Sequence, residues 1–175
     1  MQSCLGLGAL CAAILMTPLS VDAQESRNRV AAHTDWSVFE AQDPAQCWSV
    51  SSPKETVNTR DGRVVAVRRG DILLFVSYIP NSNVAGQVSF TGGYPFAEGS
   101  TVTLQIGDDS FELFTRGEMA WAKDPAEDGR IVEAMKGGAE AVLTARSSRG
   151  TQTEDTFSLF GFTAAVDEAA QRCSN

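Results

Sequence analysis

Thr101-Val102-Thr103-Leu104-Gln105-Ile106-Gly107-Asp108-Asp109-Ser110-Phe111-Glu112-Leu113 is the stretch that decides the fold. Val102, Leu104 and Ile106 fall on one side of an extended chain and Thr101, Thr103 and Gln105 on the other. That is the period of two that a half-buried strand requires. Gly107-Asp108-Asp109 supplies turn residues, and Phe111 and Leu113 then resume the apolar face. The stretch predicts a β-hairpin with one face against a core.

The same pattern runs outward in both directions. Residues 72–79 are dominated by Leu, Val, Ile, Phe and Tyr and end at Pro80-Asn81, which suits a central strand. Residues 47–51 stop at Ser52-Pro53, and residues 63–67 run into Arg69-Gly70-Asp71. Downstream, Ala141, Leu143 and Ala145 alternate with Val142, Thr144 and Arg146. After Ser147-Ser148-Arg149-Gly150, residues 151–160 complete a second hairpin. Two helices interrupt the strands. Asp124-Pro125-Ala126-Glu127 combines an N-cap acid, Pro at the first helical position and Glu at the third. Ile131 and Met135 share a face, and Lys136 with Gly137-Gly138 provides the stop. The second helix begins at Thr163 and ends near Arg172, with Val166, Ala170 and Cys173 on one side, so that Cys173 faces the domain. Many short strands with two short helices predict a mainly β protein, a β-sandwich.

Composition bounds the partners. The chain has 175 residues, 43% of them hydrophobic, and its 22 acidic against 14 basic residues give a net charge of −8. The apolar content is that of a globular domain. The acidity argues against nucleic acid as the main partner, because phosphate binding needs a basic face. Residues 1–21 carry no charge, and their apolar run over 5–19 is short for a membrane span of about 20 residues. Val21-Asp22-Ala23 reads as a small-residue cleavage site before Gln24. We therefore expect a signal peptide over 1–23, a flexible polar lead-in over 24–34 and one domain over 35–175. The product is periplasmic or secreted, with no transmembrane span once the leader is gone. Cys4 and Cys11 leave with the leader, and Cys47 and Cys173 are then expected to form a disulfide. Two free buried thiols are the alternative if the leader is retained.

A search for chemistry returns little. His33 is the only imidazole, lies in the lead-in and has no Gly-x-Ser-x-Gly to serve. Gly92-Gly93-Tyr94-Pro95 and Gly137-Gly138 do not continue into a phosphate-binding loop and read as turn and helix-stop glycines. Two Cys and one His cannot make a four-ligand zinc site. Asp124, Glu127 and Asp128 lack the calcium-loop pattern, and Asp108-Asp109 reads as a solvated turn. Arg69-Gly70-Asp71 matches the integrin-recognition tripeptide, but a Gly between two strand-like runs is what a turn requires. No cofactor, metal or catalytic residue is assigned. Among the aromatics, Trp36 and Trp48 are expected in the core, while Tyr94 and Trp121 sit beside Gly or Pro loops.

Trp36 with Cys47, Gly92-Gly93-Tyr94-Pro95 and Ile131-Val132-Glu133-Ala134-Met135-Lys136-Gly137 resemble the invasion-associated locus B family. So does Ser148-Arg149-Gly150-Thr151-Gln152-Thr153-Glu154-Asp155-Thr156-Phe157-Ser158-Leu159-Phe160-Gly161-Phe162-Thr163-Ala164-Ala165, closed by Cys173. The resemblance implies an exported bacterial protein with an immunoglobulin-like β-sandwich, in a family whose name comes from a locus linked to entry into host red cells. Many relatives carry a Cys shortly after the first Trp, where this chain has Phe39. The reading that results is a non-enzymatic binding or accessory protein of the cell envelope, with an unknown protein or glycan partner. Tyr94, Trp121, Arg149 and Asp155 are its candidate contacts. A carboxylate-pair hydrolase of envelope glycans and a structural envelope-stability factor are the alternatives.

Overall fold

A computed structural model describes residues 28–174; the expected signal peptide lies outside them. In chain order the strands are β1 (Arg29–His33), β2 (Trp36–Gln42), β3 (Ala45–Ser51), β4 (Glu55–Arg60), β5 (Arg63–Val64) and β6 (Leu73–Ile79). After a single 3-10 turn at Pro80–Ser82 come β7 (Val84–Thr91), β8 (Thr101–Ile106), β9 (Asp109–Arg116) and β10 (Met119–Trp121). Helix α1 (Pro125–Gly137) precedes β11 (Glu140–Arg146) and β12 (Gln152–Ser158), and α2 (Phe162–Arg172) follows them. The deciding hairpin is β8–β9, paired from Thr101↔Phe114 to Ile106↔Asp109. Val102, Leu104, Ile106, Phe111 and Leu113 are all buried.

The twelve strands of the described residues form one antiparallel sheet in the order β1-β2-β3-β6-β7-β10-β9-β8-β11-β12-β4-β5. Strands far apart in that order nevertheless touch. Phe90 on β7 meets Phe157 on β12 edge to face, with ring centroids 6.1 Å apart. The Trp36 indole N–H on β2 donates to the Ser158 carbonyl at 2.9 Å. The sheet thus folds over on itself, and its two halves enclose the core as an immunoglobulin-like sandwich. Leu74, Val76, Val88 and Phe90 come from one half, and Leu104, Leu113, Leu143 and Phe157 from the other.

The helices close the open part of this sandwich. Asp124 caps α1 by accepting from the Glu127 amide at 2.9 Å. Ile131, Val132 and Met135 are buried on that helix, and Asp128 accepts from the β7 amide of Val88 at 2.8 Å. Phe162, Ala165, Val166 and Ala169 are the buried positions of α2, so Ala169 and not Ala170 continues the inward stripe. The Phe162 ring packs edge-on against Trp36 at 4.8 Å. The turn after α2 is tied to β3 by the Cys47–Cys173 disulfide, whose partners are 126 residues apart in sequence.

Two expectations are corrected. The supposed lead-in is not flexible throughout: Arg29–His33 is strand β1, paired with β2 through Ala31↔Val38 and His33↔Trp36. Most of its residues are exposed, as suits an edge strand, and α2 holds its end. His33 Nε2 lies 2.6 Å from Glu168, and a Cβ on Gly161, where φ is +87°, would stand 2.0 Å from the His33 carbonyl oxygen. Trp48 is not a core residue either. Cys47 and Ser49 point inward, so alternation turns Trp48 outward, where it stacks on Phe39 at 5.5 Å.

Closing so long a loop restricts the unfolded chain by about 5 kcal/mol in the chain-entropy model. Replacing Cys47 and Cys173 together by Ser should therefore lower the urea unfolding free energy by about 2–5 kcal/mol. Dithiothreitol should produce the same shift in the native protein and none in the variant.

Candidate functional site

The site is built on a residue that lies between strands. From Val65 to Ile72 the chain has no regular structure, and within it Arg69 turns its guanidinium inward. Nη1 and Nη2 donate to the two carboxylate oxygens of Asp155 on β12, at 2.7 and 2.5 Å. The side chains of this pair are 6% and 0% exposed. Nη1 also reaches Asn58 Oδ1 on β4 at 3.3 Å, and Nε donates to the Gly92 carbonyl at 2.8 Å. The Tyr94 ring lies against the guanidinium, 5.0 Å from its carbon to the ring centroid. Burial pushes the Asp155 carboxyl up from its ordinary value, and the fork of guanidinium donors pulls it back.

Gly92-Gly93-Tyr94-Pro95 is the cradle of this arginine. The Gly70 amide donates to the Gly93 carbonyl at 2.8 Å. Gly93 has φ of +72°, and a Cβ there would stand 2.5 Å from the Gly70 carbonyl oxygen, so no larger residue fits without moving the backbone. The Tyr94 hydroxyl shares a 2.5 Å hydrogen bond with Thr153 Oγ1. Burial raises the Tyr94 pKa, opposed by the Thr153 hydrogen bond and by Arg69. These contacts also decide the Arg69-Gly70-Asp71 question: with Arg69 locked on Asp155, the tripeptide does not present its cation to a partner.

Above this floor opens a cavity of about 340 Å³. Four arginines line it: Arg69 from below, Arg60, Arg68 and Arg149. Hydroxyls from Ser147, Ser148, Thr151 and Thr153 lie between them, with Tyr94, Val67 and Pro95 as the less polar wall. Arg60 donates to Thr151 Oγ1 at 2.7 Å. Arg68 and Arg149 are exposed and make no ion pair among the described residues. The rim is pinned by backbone. Ser148 N–H donates to the Pro95 carbonyl at 2.9 Å, and Ala97 N–H to the Arg146 carbonyl at 2.9 Å. Ser147 Oγ accepts from the Thr151 amide at 3.1 Å.

The structure brings three of the four anticipated contact residues together. Tyr94 and Arg149 line the cavity, and Asp155 lies directly beneath it. Trp121 does not join them; it faces outward on β10, paired with Ser89 and Phe114. Sequence reasoning missed Arg60, Arg68 and Arg69. The adjacent Arg68-Arg69 in an acidic chain was the available signal; the 86-residue separation of Arg69 from Asp155 left none.

Chemically the cavity is basic and rich in hydroxyls. Glu118 is the one acid in its lining, and Asp155 is committed to Arg69, so it holds no free carboxylate pair. His33 faces a separate depression with Asp167, Glu168 and Arg172, without a serine or cysteine nucleophile in its lining. Among the described residues no group of three or more His, Cys, Asp or Glu could hold a metal ion.

Fold and site together define an antiparallel β-sandwich domain with a disulfide-anchored terminal helix and a basic, hydroxyl-lined cavity. The invasion associated locus B (IalB) protein family model matches residues 36–170, and the chain belongs to that family. The crystal structure of invasion associated protein B from Bartonella henselae has the same fold. It superposes with a TM-score of 0.56 at 17% identity, over 83% of this chain and 98% of that one. Comparison with curated proteins gives no match.

Asp155→Asn keeps the shape of the floor but strands a buried guanidinium, and should destabilise the protein by about 3–5 kcal/mol in urea unfolding. Replacing both partners, as Arg69→Met with Asp155→Leu, should recover part of that loss. Glu118→Gln on the exposed rim should stay within about 0.5 kcal/mol of the native chain.

Proposed function

We propose that the chain is an exported, non-enzymatic binding protein of the bacterial cell envelope, and that it binds through the arginine-lined cavity. The observation that carries this reading is the cavity itself. It is rigidly mounted on a buried ion pair and two pinned loops, it is rich in unused donors, and it has no nucleophile–base set. The Cys47–Cys173 disulfide supports an oxidising compartment. Among the described residues no helix is long and apolar enough to cross a membrane. The expected leader over residues 1–23 would deliver the domain, and its partner would be an envelope or extracellular protein or glycan.

Two measurements test the reading. Mass spectrometry of the exported protein should find an amino terminus near Gln24; an intact Met1 in cytosolic protein would remove the export half. Immobilised native protein should retain envelope material that the Arg68→Ala/Arg149→Ala variant, folded by circular dichroism, does not. Equal retention by both would place binding elsewhere.

A further inference from the structure

Whatever occupies the cavity meets a charge that the rest of the protein does not share. The chain as a whole is strongly acidic, at −8. Within the cavity, Arg69 is neutralised by Asp155, and the remaining Arg60, Arg68 and Arg149 face Glu118 alone. The lining therefore carries a formal net charge of about +2. Guanidinium donors are suited to oxyanions, which they engage in paired, charge-assisted hydrogen bonds. Hydroxyls such as that of Ser148, which share the lining with Tyr94, are the groups that would meet a polyhydroxylated scaffold. The volume of about 340 Å³ lies at the small end of ligand pockets, which span about 300–1,000 Å³. It admits one group the size of a monosaccharide, free or projecting from a larger partner.

We infer that this cavity binds an oxyanion group, phosphate or carboxylate, carried on a ligand of monosaccharide size. The inference rests on the cavity being the binding site and adds the chemical class of its ligand. The three guanidiniums that Asp155 does not neutralise hold the oxyanion, and the hydroxyls orient the rest. Because the site carries about two positive charges, a phosphate dianion binds more tightly than a single carboxylate.

Isothermal titration calorimetry in low-salt, phosphate-free buffer tests this with glucose 6-phosphate, glucuronate and glucose as probes. The expected result is a dissociation constant below about 1 mM for glucose 6-phosphate, weaker binding of glucuronate and none of glucose. Affinity should weaken as salt is raised. Arg68→Ala and Arg149→Ala, both at exposed positions, should each weaken binding by about tenfold while leaving the circular dichroism spectrum unchanged. Tighter binding of glucuronate would identify the carboxylate as the recognised group. Three outcomes overturn the inference: no charged probe binds, glucose binds equally well, or the double variant binds as the native protein does. If no anion binds while the double variant still loses envelope material, the cavity remains the binding site and only the ligand class falls.

Discussion

The buried Arg69–Asp155 pair is the constraint on which the rest of the site depends. An arginine from an irregular segment is taken out of water and matched, oxygen for nitrogen, to a carboxylate on β12. Its remaining donors go to Asn58 and the Gly92 carbonyl. Such a pair contributes little net stability, because desolvating both charges offsets most of their attraction. It contributes definition instead. It fixes the 65–72 segment, the Gly92-Gly93-Tyr94-Pro95 loop and the β4–β12 edge relative to one another, and those are the walls of the cavity. Because Asp155 neutralises Arg69, the floor adds no charge, and the net positive charge of the cavity comes from the arginines above it.

The sheet makes that arrangement possible. One continuous antiparallel sheet, folded until Phe90 meets Phe157, brings the end of β12 under a loop that follows β7. The disulfide and the Trp36–Phe162 contact then hold α2 against β2 and β3. The core and the cavity occupy different parts of the fold. Apolar burial supplies stability in the first, while the second is lined by arginines and hydroxyls. This separation explains how exposed arginines can sit on the rim without a structural task.

Strand patterning and helix punctuation were readable along the chain because each is a local property. The β8–β9 hairpin, the cap at Asp124 and the inward-facing Cys173 follow from spacing and residue type, and the structure has all three. Trp48 and the lead-in depart from the local pattern for opposite reasons. A Trp beside the disulfide segment suggests a core residue, but parity with Cys47 governs its direction and turns it outward. Residues 24–34 read as a polar lead-in, whereas an edge strand at 29–33 needs only backbone partners and one contact with a helix. The Gly92-Gly93 pair was recognised as turn glycine, but what Gly93 makes room for, the Gly70 carbonyl, lies on another segment.

By itself the sequence determined that this is a mainly β chain with two short helices, that Cys47 and Cys173 are its available pair, and that its surface is acidic. Those are properties of composition and of neighbours a few residues apart. Only the tertiary structure decided that Arg69 belongs to the floor and not to an adhesive tripeptide, that Tyr94, Arg149 and Asp155 share one place, and that Trp121 faces elsewhere. A guanidinium and a carboxylate separated by 86 residues leave no periodic trace. Their meeting depends on how a twelve-stranded sheet folds over itself, and long-range closure of that kind is set by packing, not by any local pattern.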